Sequence, residues 1–288
     1  MRKLFGHGMH QRPPWVAVVR LALAVMIAFG FARAATAQEN LVDLELVLAV
    51  DVSRSMDYEE QIIQRDGYVA AFRSGEVIDA ILGGGVGRIA VTYMEWAGNH
   101  INRVVVPWSL IDSKEAAHAF AARLEEVKPE RLSRTSISGA LDRARSLFGT
   151  SSWKGVRRVV DVSGDGPNNQ GMPIEAMRDS LVNEGITING LPLLIRTSTY
   201  GFGIENLDEY YTDCVIGGTG AFVIPVQDWE SFPLAVRRKL VLEIAGLAPR
   251  QDPASMVVRV AATPVRAKVD CLIGEKLWQQ RMQDMEWR

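Results

Sequence analysis

Leu44 to Val50 reads Leu-Glu-Leu-Val-Leu-Ala-Val and ends on Asp51. A nearly continuous apolar run of this kind suits a central strand buried on both faces of a sheet. Such a strand needs covering layers above and below it. The rest of the chain is patterned to supply them. Strand-like runs occur at Arg88 to Trp96, Asn102 to Trp108, Val156 to Ser163, Ile186 to Leu194 and Ala221 to Val226. Between them fall helical patterns: from Asp57 onward, Ser113 to Val127, Ser136 to Phe148, Ile174 to Asn183, Glu205 to Thr212, and Asp228 to about Ala245. Strands alternating with helices predict an α/β fold, a doubly wound and mainly parallel sheet with helices on both faces. The short link Ala97-Gly98-Asn99-His100 predicts a hairpin, hence one antiparallel edge strand.

The ends of the chain are different in character. Arg2, Lys3, Arg12 and Arg20 make a basic start without acids, followed by the apolar run Leu21 to Phe31 and the small-x-small site Ala35-Thr36-Ala37. This is the layout of a secretory signal peptide covering residues 1–37. The apolar run is short for a membrane span, which needs about 20 residues; the alternative is a retained anchor in which Val16 to Phe31 inserts with Arg20 snorkelling. Residues 38–246 then form the α/β domain and 247–288 a C-terminal extension. In the extension, Met256 to Ala261 suits an edge strand, and Ile273, Leu277, Trp278, Met282 and Met285 form a loose helical stripe.

Cleavage would remove five of the 32 basic residues (Arg2, Lys3, Arg12, Arg20 and Arg33) and none of the 34 acids, leaving 27 against 34, a net charge of −7. An acidic chain without a basic patch is a poor nucleic-acid binder. The expected location is periplasmic or secreted, with no membrane span left after cleavage. Cys214 and Cys271 are the two cysteines. In an oxidising compartment they are a possible disulfide, but two separate buried thiols fit the sequence equally well.

Three distant segments carry the chemistry: Asp51-Val52-Ser53-Arg54-Ser55, Arg134-Thr135-Ser136 and Ser163-Gly164-Asp165-Gly166. Each falls where a strand ends or a helix begins, and ligands of open α/β sheets bind beyond the carboxyl ends of strands. Hydroxyls and carboxylates suit a hard cation such as Mg²⁺, which takes about six oxygens and keeps several waters. A mainly neutral inner shell leaves the ion electrophilic towards a carboxylate from another molecule.

This set resembles the metal-ion-dependent adhesion site (MIDAS) of von Willebrand factor type A domains, with its Asp-x-Ser-x-Ser, distant Thr and later Asp-Gly. The chain is also similar to a bacterial family of exported von Willebrand A-like proteins of unknown function. The residues that carry that similarity are Gln64-Arg65-Asp66-Gly67-Tyr68, Tyr93-Met94-Glu95-Trp96 and Asp213-Cys214-Val215-Ile216-Gly217-Gly218. The resemblance implies a Rossmann-like fold over roughly Leu41 to Ala245 and a metal, Mg²⁺ or Mn²⁺, at Asp51, Ser53, Ser55, Thr135 and Asp165. Arg54, Met56, Glu95, Trp96, Arg134, Asn168 and Asn169 would line the ligand face. Two departures stand out. Gly164 precedes Asp165 where Thr is common, which would loosen the loop, and Ser136 stands where Asn is frequent.

The competing reading of the hydroxyls is helix capping. Ser53 or Ser55 would cap the helix after Asp57, and Thr135 the helix of Leu141. A serine hydrolase has no supported base: His7 and His10 lie in or before the signal, His118 falls within a helix, and His100 in the hairpin link is open to a role at the site that no other residue supports. Gly83-Gly84-Gly85-Val86-Gly87-Arg88 precedes a strand, against the geometry of a dinucleotide loop. No His-Glu-x-x-His or Cys-x-x-Cys motif occurs. The expectation is therefore a binding domain, not an enzyme, whose partner is a protein offering an Asp or Glu. The alternatives are metal-assisted hydrolysis with Glu95 or Asp161 as base, and a structural envelope protein. Oligomeric state is not legible.

Overall fold

The central run becomes strand β1 (Leu41–Asp51), and its alternation divides it between two cores. Leu44, Leu46, Leu48 and Val50 join one apolar cluster, while Val47 and Ala49 join the other. The computed structural model describes residues 40–195, 203–247, 249 and 268–286. The signal-peptide segment 1–37 and the edge strand expected at Met256 to Ala261 lie outside them.

Four further strands complete the sheet: β2 (Ile89–Trp96), β3 (Asn102–Ile111), β4 (Lys154–Gly164) and β5 (Ile186–Pro192). Their order is β3-β2-β1-β4-β5. β1 and β2 pair in parallel, as do β4 and β5, and β3 is the antiparallel edge. One face is covered by α1 (Tyr58–Arg73), α2 (Gly75–Leu82), α3 (Lys114–Glu126) and α7 (Phe232–Ala245), through Phe72, Ile81, Phe120 and Phe232. The other is covered by α4 (Ile137–Thr150), α5 (Ile174–Asn183) and the short α6 (Leu207–Tyr210), which runs into a π-helical turn, Tyr211–Val215. Helix α8 (Ile273–Glu286) ends the described chain.

The expected sixth strand is not one. Ala221 to Val226 meets β5 only through isolated parallel bridges at Val223 and Val226. Gly190 N–H donates to Phe222 O, and Val226 N–H donates to Pro192 O. A continuous ladder would next need an N–H at Pro192, and proline has none. The helix expected from Asp228 starts at Phe232 instead, because Asp228 Oδ1 accepts from Ser231 N–H (2.7 Å) in a separate turn.

Gly67 sets how closely α7 approaches α1. A Cβ there would lie 2.6 Å from the Phe232 ring. That explains a glycine in mid-helix, where it otherwise costs about 1 kcal/mol relative to alanine.

Candidate metal centre

The capping alternative fails at each helix. Asp57 caps α1, accepting from Glu60 N–H (2.9 Å) in a reciprocal capping box. Ser136 caps α4, accepting from Gly139 N–H (3.1 Å). Ser53, Ser55 and Thr135 are left for another role.

All three segments line one cavity of about 640 Å³, to which Ser53, Ser55, Thr135 and Asp165 contribute. Ser53 Oγ and Ser55 Oγ are 2.8 Å apart, and Ser55 Oγ donates to Asp165 Oδ1 (2.8 Å). Asp51 Oδ1 accepts from Ser53 N–H (2.7 Å). The loops are sewn together by backbone. Leu132 N–H donates to Val52 O (2.9 Å), and Asn169 N–H donates to Thr135 O (2.9 Å). Asn169 Oδ1 accepts from Thr135 N–H in return (3.2 Å). Gln64 Nε2 holds Asp51 O (2.9 Å) and Gln61 Nε2 holds Val52 O (3.1 Å), so α1 braces the first loop from below.

The electrostatics are unbalanced. Burial, and then the neighbouring charge of Asp165, pushes the Asp51 carboxyl well above the usual carboxylate range. Burial raises Asp165 to about 6, against the opposing pull of its Ser55 hydrogen bond. Asp51 Oδ2 is buried and has no hydrogen-bond partner among the described residues. A buried carboxylate oxygen without a partner is costly. A divalent cation would supply the missing charge. The donor set suits it, with hydroxyls facing the ion and carboxylates ordering its water shell. Asp51 and Asp165 would be the charged members. Among the described residues, no group of three or more His, Cys, Asp or Glu side chains is placed to hold a metal.

Behind Asp51 the wall is aromatic. A Cβ on Gly164 would lie 2.9 Å from Tyr211 OH, 3.1 Å from Asp51 Oδ2 and 3.3 Å from the Trp96 ring. The glycine at this position is required by close packing. Tyr211 and Trp96 occupy the space that a Thr side chain would need. Burial, with Asp51 and Asp165 nearby, pushes the Tyr211 phenol upward.

Several expected rim residues lie elsewhere. Met56 is 2% exposed and belongs to the core. Trp96 is buried as floor. Glu95 is buried in ion pairs with Arg65 and Arg103. Arg65 also donates to Leu124 O (2.8 Å), so the pair ties α1 and β2 to α3. Asn168 is fully buried, its Oδ1 accepting from Ser138 N–H (3.0 Å) and its Nδ2 donating to Glu275 Oε1 (2.7 Å). Asp161 meets Lys239 (2.5 Å) between the sheet and α7. Neither Glu95 nor Asp161 lines the cavity as a base would need to. Arg54, Arg134 and Asn169 do line it.

The sequence reading missed Arg131 and did not place Trp278. Arg131 Nε and a terminal nitrogen donate to Met56 O (2.9 Å) and Arg54 O (2.8 Å), pinning the first loop. Trp278 comes from α8, which the Cys214–Cys271 disulfide fastens to the domain. Its stripe of apolar residues was visible in the sequence, but its destination was not.

This fold is that of a von Willebrand factor type A domain. The chain belongs to the family described as "Protein of unknown function (DUF1194)", which matches residues 41–248. A search of curated proteins found no significant match. Among solved structures it is similar to proximal thread matrix protein 1 from the mussel byssus (18% identical, 71% of this chain and 48% of that one, TM-score 0.53). That protein has also been solved with a zinc-occupied MIDAS motif (16% identical, 71% and 48%, TM-score 0.49). The pilus adhesin SpaC of Lactobacillus rhamnosus GG is 10% identical over 72% of this chain and 31% of that one, with a TM-score of 0.51. A von Willebrand factor type A protein from Catenulispora acidiphila is 18% identical over 71% and 42%, with a TM-score of 0.46. The chain thus spans about half the length of the mussel protein. At these identities the likeness is one of fold.

Proposed function

We propose that this chain is an exported, metal-dependent binding domain that captures an Asp or Glu carboxylate of a partner protein on a divalent cation. Asp51, Ser53, Ser55, Thr135 and Asp165 would hold the ion, Mg²⁺ or Mn²⁺. The carrying observation is the pair of neighbouring acids, Asp51 and Asp165, with Asp51 Oδ2 unpartnered and hydroxyls bridging the gap. When bound, the ion supplies an open coordination position for an incoming carboxylate. The chain's own residues fix the loops, order the hydroxyls and shut the rear of the site with Trp96 and Tyr211.

Binding is favoured over catalysis because the two acids offered as bases are enclosed in ion pairs away from the cavity. Export rests on the leader at residues 1–37. No helix among the described residues is long and apolar enough to cross a membrane.

Calorimetric titration with Mg²⁺ and Mn²⁺ tests the ion site. Wild type should bind, while Asp51→Ala and Thr135→Ala should not. Absence of binding at millimolar metal would remove the proposal. Capture of a partner should also disappear in chelator, and capture that persisted there would dissociate the surface from the metal.

A further inference from the structure

The metal cavity is larger and more basic than capture of one carboxylate requires. Its volume of about 640 Å³ falls in the range of small-molecule sites, about 300–1,000 Å³. Arg54, Arg131 and Arg134 line it against a single acid, Asp165. Among the described residues, none of the three arginines forms an ion pair. This is unexpected on a chain with a net charge of −2.

Of the three, Arg134 is the most specifically placed. Its backbone sits at φ 76°, a left-handed conformation that non-glycine residues seldom adopt. Strain of this kind persists where the surroundings hold it. Ser133 O accepts from Gly98 N–H (3.1 Å) and Thr135 is paired with Asn169, so both neighbours are fixed. The Arg134 guanidinium carbon lies 4.3 Å from the centre of the Trp278 ring. Stacking holds one face of the planar group and leaves its edge donors for a carboxylate.

Trp278 is itself well anchored. Cys271 is bridged to Cys214 at the foot of α8. Glu275 grips Asn168, three residues after Asp165. Gly274 lies against Asn168, where an added Cβ would come within 2.0 Å of the carbonyl oxygen. The C-terminal helix is thus a rigid wall of the metal cavity, and preorganised walls favour affinity and selectivity.

We propose that Arg134, stacked on Trp278, is a second anchor in this cavity, and that the ligand is an acidic peptide segment bearing two carboxylates. One carboxylate would go to the metal and the other to the guanidinium edge. This deepens the carboxylate-capture reading and rests on it.

The test uses Mg²⁺-loaded protein and short synthetic peptides. One set carries two acids separated by zero to two glycines. The matched set replaces the second acid by its amide. By calorimetry, the best diacid should bind wild type about tenfold more tightly than its single-acid match, as one charge-assisted contact allows. Arg134→Gln should abolish that preference, Arg134→Lys should retain part of it, and Trp278→Leu should weaken it several-fold. Equal binding of the two sets by wild type, or a preference that survives Arg134→Gln, overturns the second anchor alone. Failure of both sets to bind metal-loaded wild type overturns carboxylate capture, and the second anchor with it.

Discussion

Asp161 and Asp165 stand four residues apart on β4 and just beyond its end, yet they meet opposite environments. Asp161 lies against Lys239 (2.5 Å), which also pairs with Glu243, and Asn189 Nδ2 donates to Glu243 Oε1 (2.9 Å). Asp165 accepts from Ser55, and after burial its charge is the next cause that raises the Asp51 carboxyl. In the first cluster the fold brings its own cation from α7. In the second it brings hydroxyls and a second acid. Burial raises the carboxyls in both places, Glu243 to about 7 and Asp165 to about 6. The difference is the counter-charge. A covalent lysine makes the first cluster a permanent strut between α7 and the sheet. On the proposed reading, a site lacking that lysine would take an exchangeable cation in its place.

The contrast can be broken in several ways. The largest effect is expected from Lys239→Met, which strands two buried acids and should cost about 3–5 kcal/mol in urea unfolding. A loss below about 1 kcal/mol would mean that the acids are neutral and that Lys239 is no strut. The metal site should gain what the lysine site already has. Mg²⁺ at a hundred times its dissociation constant should stabilise wild type by about 2.7 kcal/mol. That gain should vanish in chelator and in Asp51→Asn, with melting as the readout.

A pH series sharpens the same point. The folded Asp165 carboxyl, at about 6, lies above its ordinary value of 3.8. In the metal-free protein its contribution to stability is therefore full below about 3.8 and is lost as pH rises through about 6. Metal must displace that proton and any held by the raised Asp51 carboxyl, so apparent affinity should fall as pH drops through about 6, by up to about tenfold per pH unit for each proton displaced. A flat titration between pH 5 and pH 7, run on either side of about 6, would remove Asp165 from the site.

The smallest effect is expected at Tyr211, whose buried hydroxyl has no partner among the described residues. Tyr211→Phe should leave the metal-free protein unchanged or stabilise it by up to about 1 kcal/mol. A loss of stability would show that the hydroxyl is bonded and that the rear of the site is more than a plug.

Residues whose position follows from the local chain were legible. Asp51, Ser53 and Ser55 follow an apolar run that suits a buried strand, and Asp165 follows another. Their resemblance to the adhesion-site motif implied that they would meet, and Ser55 does donate to Asp165. Residues whose role depends on depth were misplaced. Glu95 and Trp96 end β2 as expected, but the pairing of β2 between β1 and β3 buries both. Asn168 sits in a loop rich in turn signals, yet α8 covers it. Pro192 breaks a sixth strand that Ala221 to Val226 alone would support, because a ladder needs donors on both sides.

Alternating apolar runs and helical stripes determined, from the sequence alone, a layered α/β fold and the loops on which small oxygen ligands would gather. Those features are local, set by side-chain period and by which residues can end a strand or cap a helix. Tertiary structure decided which acids received a cation. Lys239 and Trp278 reach their sites from helices distant in sequence, and only packing brings a charge or an aromatic ring across that separation. The same packing placed Lys239 on Asp161 and left Asp165 with hydroxyls, which makes one cluster a strut and the other a candidate metal site.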